Sequence, residues 1–261
     1  MTYEYPLVFF TVLGQLAAGI ALLICLTGLQ KHPAEERRAW IVSLATLAVA
    51  GVSAFFHLQS FGATPFALSN VGSSWLSREI LLGAIFFVLI ALRVWNVLKA
   101  GTNWLVGIVG VIFVLVMSQI YAQNAVAPLW HSWGPILSFL GTMLLLGGTA
   151  VLALAPDAWE RPAVVAGVSS ALVGGLFALS MPIFWVGGVL SPLNPVLLGT
   201  FATATICVTL TQMTCFAAGG VLTAFGVPGK RMLAQIGFVI ILVGAVVGRM
   251  LFYAANIRLG G

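Results

Sequence analysis

The run P-L-V-F-F-T-V-L-G-Q-L-A-A-G-I-A-L-L-I-C-L-T-G-L, Pro6 to Leu29, contains no charged residue and a single amide, Gln15. An α-helix needs roughly 20 apolar residues to cross a hydrocarbon layer of about 30 Å, so this run is long enough to span a bilayer. The rest of the chain is written in the same style. Its 261 residues are 61% hydrophobic and only 7% charged, with a mean hydropathy of +1.12. Soluble domains carry about a quarter charged residues, so the composition belongs in a membrane.

Breaks at charges, prolines and glycines divide the chain into eight predicted spans. They lie near Pro6–Leu29, Ala39–Phe61, Glu79–Leu98, Trp104–Gln123, Pro135–Leu154, Ala163–Leu190, Val196–Ala224 and Met232–Ile257. The reading is an all-α integral membrane bundle forming one polytopic domain, residues 1–261, with no internal repeat. Pro182, inside the sixth run, kinks that helix or marks its true end. The start of the chain lacks a basic region and a small-residue cleavage site, so no removable signal peptide is expected. Cys25, Cys207 and Cys215 lie inside apolar runs without metal-site spacing and read as packing residues. The formal charge of +5 comes from basic residues scattered singly through short loops, which argues against nucleic acid as a partner.

Those basic residues orient the bundle. Of the 11 lysines and arginines, eight (Lys31, Arg37, Arg38, Arg93, Lys99, Arg161, Lys230 and Arg231) fall on one side. Arg78, Arg249 and Arg258 fall on the other. Positive-inside bias then puts both termini on the outer, periplasmic side.

Depth follows from a rise of 1.5 Å per residue. His57 stands about 27 Å from Ala39, and Arg249 about 26 Å from Met232, so both approach the outer edge of the hydrocarbon. Glu79 opens the third span from that side, Tyr121 closes the fourth, and Gln15 lies nearer the middle of the first. Arg249, Tyr253 and Asn256 share one helix face, as do Ser53, His57 and Ser60. A lone charge in lipid costs a few kcal/mol, so Arg249 is expected to face the interior, with Glu79 as its expected partner. The outer connection from Gly62 to Ser77 is long for a bundle loop and suits a cap over a pocket.

Each residue also has a structural reading. His57 fits a hydrated interfacial histidine, Arg249 a snorkelling cation and Glu79 a favourable contact with a helix dipole. Trp75, Trp130 and Trp133 read as aromatic-belt anchors, and His131 in W-H-S-W as a loop residue. The clustering of candidates, rather than any one of them, points to a site. Haem is not expected: His32 is on the inner side and His131 is in a loop, leaving one histidine on a span.

The opening E-Y-P-L-V-F-F-T-V-L-G-Q-L-A-A-G, Glu4 to Gly19, is joined by H-L at His57–Leu58 and L-S-x-E-I at Leu76–Ile80. I-Y at Ile120–Tyr121 and G-R-x-x-F-Y at Gly248–Tyr253 complete the set. Together they resemble the membrane anchor subunits of anaerobic dimethyl sulfoxide reductases, the DmsC family. The resemblance implies a quinol-oxidising anchor in the bacterial inner (cytoplasmic) membrane, serving anaerobic respiration, with no haem or iron–sulfur cluster of its own. It implies two partners on the periplasmic face: a ferredoxin-like subunit with four 4Fe–4S clusters and a molybdopterin catalytic subunit. It also ties the histidine matching His57 to the binding and oxidation of menaquinol, with the glutamate matching Glu79 nearby.

The expected quinol-contacting set is therefore His57, Glu79, Arg249, Tyr253, Gln15 and Tyr121, with no metal ligand among them. His57 suits a proton acceptor because imidazole titrates near working pH, and Glu79 suits onward transfer. Two other readings compete. In a secondary transporter the same polar residues would form a substrate pathway, although such sites usually lie at the midplane between repeats. A passive tether would bind partners and leave quinol oxidation elsewhere.

Overall fold

Each apolar run contains one long helix. The computed structural model describes residues 4–57, 70–127, 129–155, 161–183, 200–227 and 229–254, without the side chains of residues 57, 161–163 and 200–202. In sequence order the helices are α1 Tyr5–Leu26, α2 Pro33–His57, α3 Trp75–Val94 and α4 Asn103–Ala122, followed by α5 Gly134–Leu154, α6 Arg161–Ala178, α7 Thr200–Gly226 and α8 Arg231–Ala254. Among the described residues the protein is all-helical, and eight helices are long and apolar enough to cross a membrane.

Local chemistry sets several boundaries. Proline occupies the first turn of α1 and of α5, where its missing N–H costs nothing. Ser74 caps α3 by accepting from the Ser77 amide. Gly28, with φ at 71°, turns the chain after α1 in a left-handed conformation that a side chain would strain.

Two of the boundaries that differ from the sequence reading have a clear local cause. First, α2 begins at Pro33, not Ala39, so the charged stretch Glu35–Arg38 is helical. Its charges are accommodated because Glu36 turns into the bundle while Arg38 pairs with Glu35 outside. Second, α6 stops at Ala178, four residues before Pro182. Proline has no N–H to give the Ala178 carbonyl, and its ring crowds that position. Ser138 on α5 instead donates to the Ala178 carbonyl, at 3.5 Å. The predicted run to Leu190 therefore divides, and residues 184–199 lie outside the described part.

At the centre of the bundle, α1 and α5 are buried along most of their length. α1 packs on α2, α4, α5 and α8, while α6 lies against α5 and α7 against α8. The crossing of α1 and α5 is closed by Gly19 and Gly147. A Cβ on Gly19 would run into the Met143 carbonyl oxygen, and one on Gly147 would run into the Gly19 backbone. Helices in lipid gain little from hydrophobic burial, so such close backbone approach supplies much of the packing attraction. Large apolar side chains such as Phe56, Val88, Leu172 and Phe225 point outward, as a lipid-facing surface requires.

The bundle has two polar ends. At one, Glu36 of α2 accepts from Arg93 of α3 (2.6 Å), Asn103 of α4 (2.7 Å) and Trp40 (3.2 Å). Arg93 also donates to Asn103, at 2.7 Å. This buried pair pins three helices in register. The opposite end carries both described chain ends, because α1 starts and α8 finishes there, and it holds the sequence candidates.

Candidate functional site

The arrangement starts from spacing on α8. Arg249 and Tyr253 are one turn apart and face inward, with Phe252 between them in sequence. Arg249 is only 4% exposed. Its Nη2 donates to Gln15 Oε1 of α1 at 2.9 Å. Its guanidinium carbon lies 3.8 Å from the ring centre of Phe139 and 5.1 Å from that of Phe252. An amide acceptor and two aromatic faces thus replace the water a cation needs.

One turn further out, the hydroxyls of Tyr253 and Tyr121 are 2.8 Å apart, joining α8 to the end of α4. The Tyr253 hydroxyl donates at 3.4 Å to Thr11, whose own hydroxyl donates to the Leu7 carbonyl at 3.0 Å. Trp130, in the loop before α5, donates to the Phe252 carbonyl at 2.9 Å and stacks on the Phe252 ring at 5.2 Å. An aromatic cage of Tyr121, Trp130, Phe139, Phe252 and Tyr253 therefore surrounds the hydroxyl pair.

Four of the six sequence candidates meet here: Gln15, Tyr121, Arg249 and Tyr253. Glu79 is buried one turn inside α3, which starts at Trp75, four residues before the start at Glu79 that the sequence reading has, because Ser74 caps the helix there. Among the described residues, however, no ion pair joins Glu79 to Arg249. The guanidinium goes to Gln15, because α1 is a direct neighbour of α8 whereas α3 packs chiefly on α2 and α4. His57 ends α2, and its side chain, with Leu58 and Ser60, lies outside the described residues. Most of the predicted cap from Gly62 also lies outside them; its end from Asn70 is described, and there Arg78 Nε donates to the Val71 carbonyl at 2.9 Å.

Sequence reasoning missed Thr11, Trp130 and Phe139. Thr11 stands one turn before Gln15, so the shared face was visible in the spacing. Trp130 is 5% exposed and structural, correcting its reading as a belt anchor, whereas Trp133 is 78% exposed and keeps that reading. Trp75, at the start of α3, is tied to Gln123, just after α4, by an Nε1–H donated at 2.8 Å.

Gln212 of α7 is the other residue missed. It lines a small recess with Arg249, Gly248, Ser138, Thr142 and Pro182. Arg249 Nη1 and Gln212 Oε1 are both buried without a hydrogen-bond partner among the described residues. Gly248 makes this approach possible, since a Cβ would collide with the Gln212 amide nitrogen.

Comparison with known proteins agrees with the fold. A family model described as the DMSO reductase anchor subunit (DmsC) matches residues 1–255. The C subunit of the anaerobic dimethyl sulfoxide reductase of Escherichia coli K12 is 29% identical over 285 aligned residues, covering 99% of this chain and 96% of that protein. The corresponding C subunit of Haemophilus influenzae is 34% identical over 168 residues, a match spanning 58% of each protein. The anaerobic dimethyl sulfoxide reductase subunit YnfH of Escherichia coli K12 is 31% identical over 172 residues, covering 56% of this chain and 55% of that one. No solved structure matches the chain significantly. A match from residue 1 to residue 255 takes in all eight helices and both polar ends, and on that footing the chain belongs to the DMSO reductase anchor subunit (DmsC) family.

Proposed function

We propose that this chain anchors a molybdopterin oxidoreductase of the dimethyl sulfoxide reductase type to the bacterial inner membrane, and that it oxidises menaquinol near the periplasmic side. One observation carries the quinol reading. A buried guanidinium, an amide and a pair of tyrosine hydroxyls converge at a single end of an otherwise apolar bundle. Such groups are costly in lipid and are retained where a polar ligand or a proton must be handled. The partners in this reading are a ferredoxin-like iron–sulfur subunit with four 4Fe–4S clusters and a molybdenum subunit that reduces the terminal acceptor.

In this reading quinol loses two O–H protons and two electrons and leaves as quinone. His57 takes the two hydroxyl protons in turn, and Glu79 passes each toward the periplasm before the next is taken. Arg249, held by Gln15, orients the head group, while Tyr121 and Tyr253 give the pocket a polar wall. The electrons cross to the cluster seated on the same face. Protons and electrons then leave on one side, so the anchor itself builds no membrane potential.

The test uses the assembled complex carrying His57→Ala. Naphthoquinol-driven acceptor reduction should be lost, while reduction driven by an artificial donor to the iron–sulfur subunit persists. Undiminished quinol-driven turnover would reject the reading.

A further inference from the structure

Quinol oxidation as proposed uses one side of Arg249 and leaves the other unexplained. Nη2 is bonded to Gln15, yet Nη1 is buried with no partner among the described residues; Gln212 lines the same recess as Arg249, and its Oε1 is in the same condition. Both side chains are at most 5% exposed. Leaving a buried donor or acceptor unmet costs about 1–3 kcal/mol, and here a matched pair, one donor and one acceptor, borders one recess. A third unmet atom among the described residues, Ser180 Oγ, belongs to a residue that does not line it.

We propose that Gln212 and Arg249 form a two-point clamp for one neutral hydroxyl, and that in turnover this hydroxyl is the quinol's. The inference rests on the quinol reading above. An O–H oxygen accepts from Nη1 while its hydrogen goes to Gln212 Oε1, which satisfies both atoms. A quinone carbonyl accepts from Nη1 but has no hydrogen for Gln212. The clamp therefore favours the reduced head group, and Gln212 becomes a residue that selects substrate over product. The recess has room for about one oxygen, so the ring lies over its rim at Met181 and Pro182, where α6 has already ended. Gly248, Ala178 and Ala245 keep the floor free of bulk.

Water has the same O–H chemistry, so the test must separate the two occupants. Gln212→Leu and Gln212→Met are introduced into the full complex, and rates are normalised to artificial-donor activity as a count of assembled enzyme. Ser180→Ala serves as a control outside the recess. Both Gln212 variants should raise the KM for a water-soluble naphthoquinol about tenfold, while the inhibition constant of the matching naphthoquinone stays within about twofold. A general loss of packing would move both constants together and would overturn the proposal. An unchanged KM would also overturn it, leaving a resident water only. If His57→Ala still abolishes quinol turnover in that case, the quinol reading stands and only the clamp falls. If naphthoquinol drives no turnover in the unaltered complex, the quinol reading itself fails.

Discussion

Arg249 on the last helix donates to Gln15 on the first, at 2.9 Å and across 234 residues of sequence. The bond ties the two ends of the sequence together inside the membrane and fixes the guanidinium between an amide and two aromatic rings. Removing either partner alone strands the other in a buried site. Gln15→Leu should cost about 1–3 kcal/mol, and Arg249→Met should lose its ring contacts as well. The double variant should be less unstable than the sum of the two, with a coupling of about 0.5–3 kcal/mol. Equilibrium unfolding in mixed detergent measures it, and strict additivity would mean that the two side chains do not hold one another.

At the other end of the bundle the prediction is asymmetric. Glu36 Oε1 accepts from Arg93, Asn103 and Trp40, so Glu36→Gln keeps an acceptor in place. Arg93→Met instead leaves a buried carboxylate without its counter-charge. Breaking a buried pair from one side costs about 3–5 kcal/mol. Unfolding of the two variants should differ clearly, Arg93→Met being the worse. Equal losses would show that the carboxylate is not held as an ion.

Much of this was visible in the sequence, for a simple physical reason. Span count follows from the length of apolar runs, and the Pro182 break follows from a missing N–H, so both are local. The gathering of Gln15, Tyr121, Arg249 and Tyr253 came from counting rise along neighbouring helices, which needs orientation but no contacts. What could not be read was pairing across helices. Glu79 lies at a suitable depth for Arg249, yet the packing order puts Gln15 beside the guanidinium. Glu36 precedes the predicted span start at Ala39 in a run of four charged residues, and only its inward face on α2 shows the ion pair. Gln212 stands in the threonine-rich T-L-T-Q-M-T, and threonines 209, 211 and 214 bond back to their own helix. Nothing in that run marks which residue looks inward.

Glycine positions give a paired prediction. At Gly19 a new methyl would run into α5 backbone, which cannot give way as a flexible side chain does. Gly51, on α2, has nothing within 4 Å of a built Cβ. Gly19→Ala should therefore separate α1 from α5 and destabilise the bundle severely. Gly51→Ala should be neutral, or gain up to about 1 kcal/mol from better helix propensity. Yield of monodisperse protein and its thermal unfolding would compare them; tolerance of Gly19→Ala would mean the central crossing is looser than the structure has it.

The mechanism requires the Arg249 end of the bundle to face the periplasm, and orientation can be tested without any quinol. Lys99 lies beyond α3 at the Glu36 end and is exposed, whereas Asn124 follows α4 at the Arg249 end and is half-buried in the loop. With Cys25, Cys207 and Cys215 replaced, Asn124→Cys should react with a membrane-impermeant maleimide on intact spheroplasts. Lys99→Cys should react only after the membrane is opened. The expectation comes from eight of the 11 basic residues lying at the Lys99 side, a bias that sets topology when loops are short. The reverse labelling pattern would put Arg249, Gln15 and the tyrosine pair at the cytoplasmic side. Quinol protons would then be released inward, and both the periplasmic docking of the iron–sulfur subunit and the outward path through Glu79 would have to be abandoned.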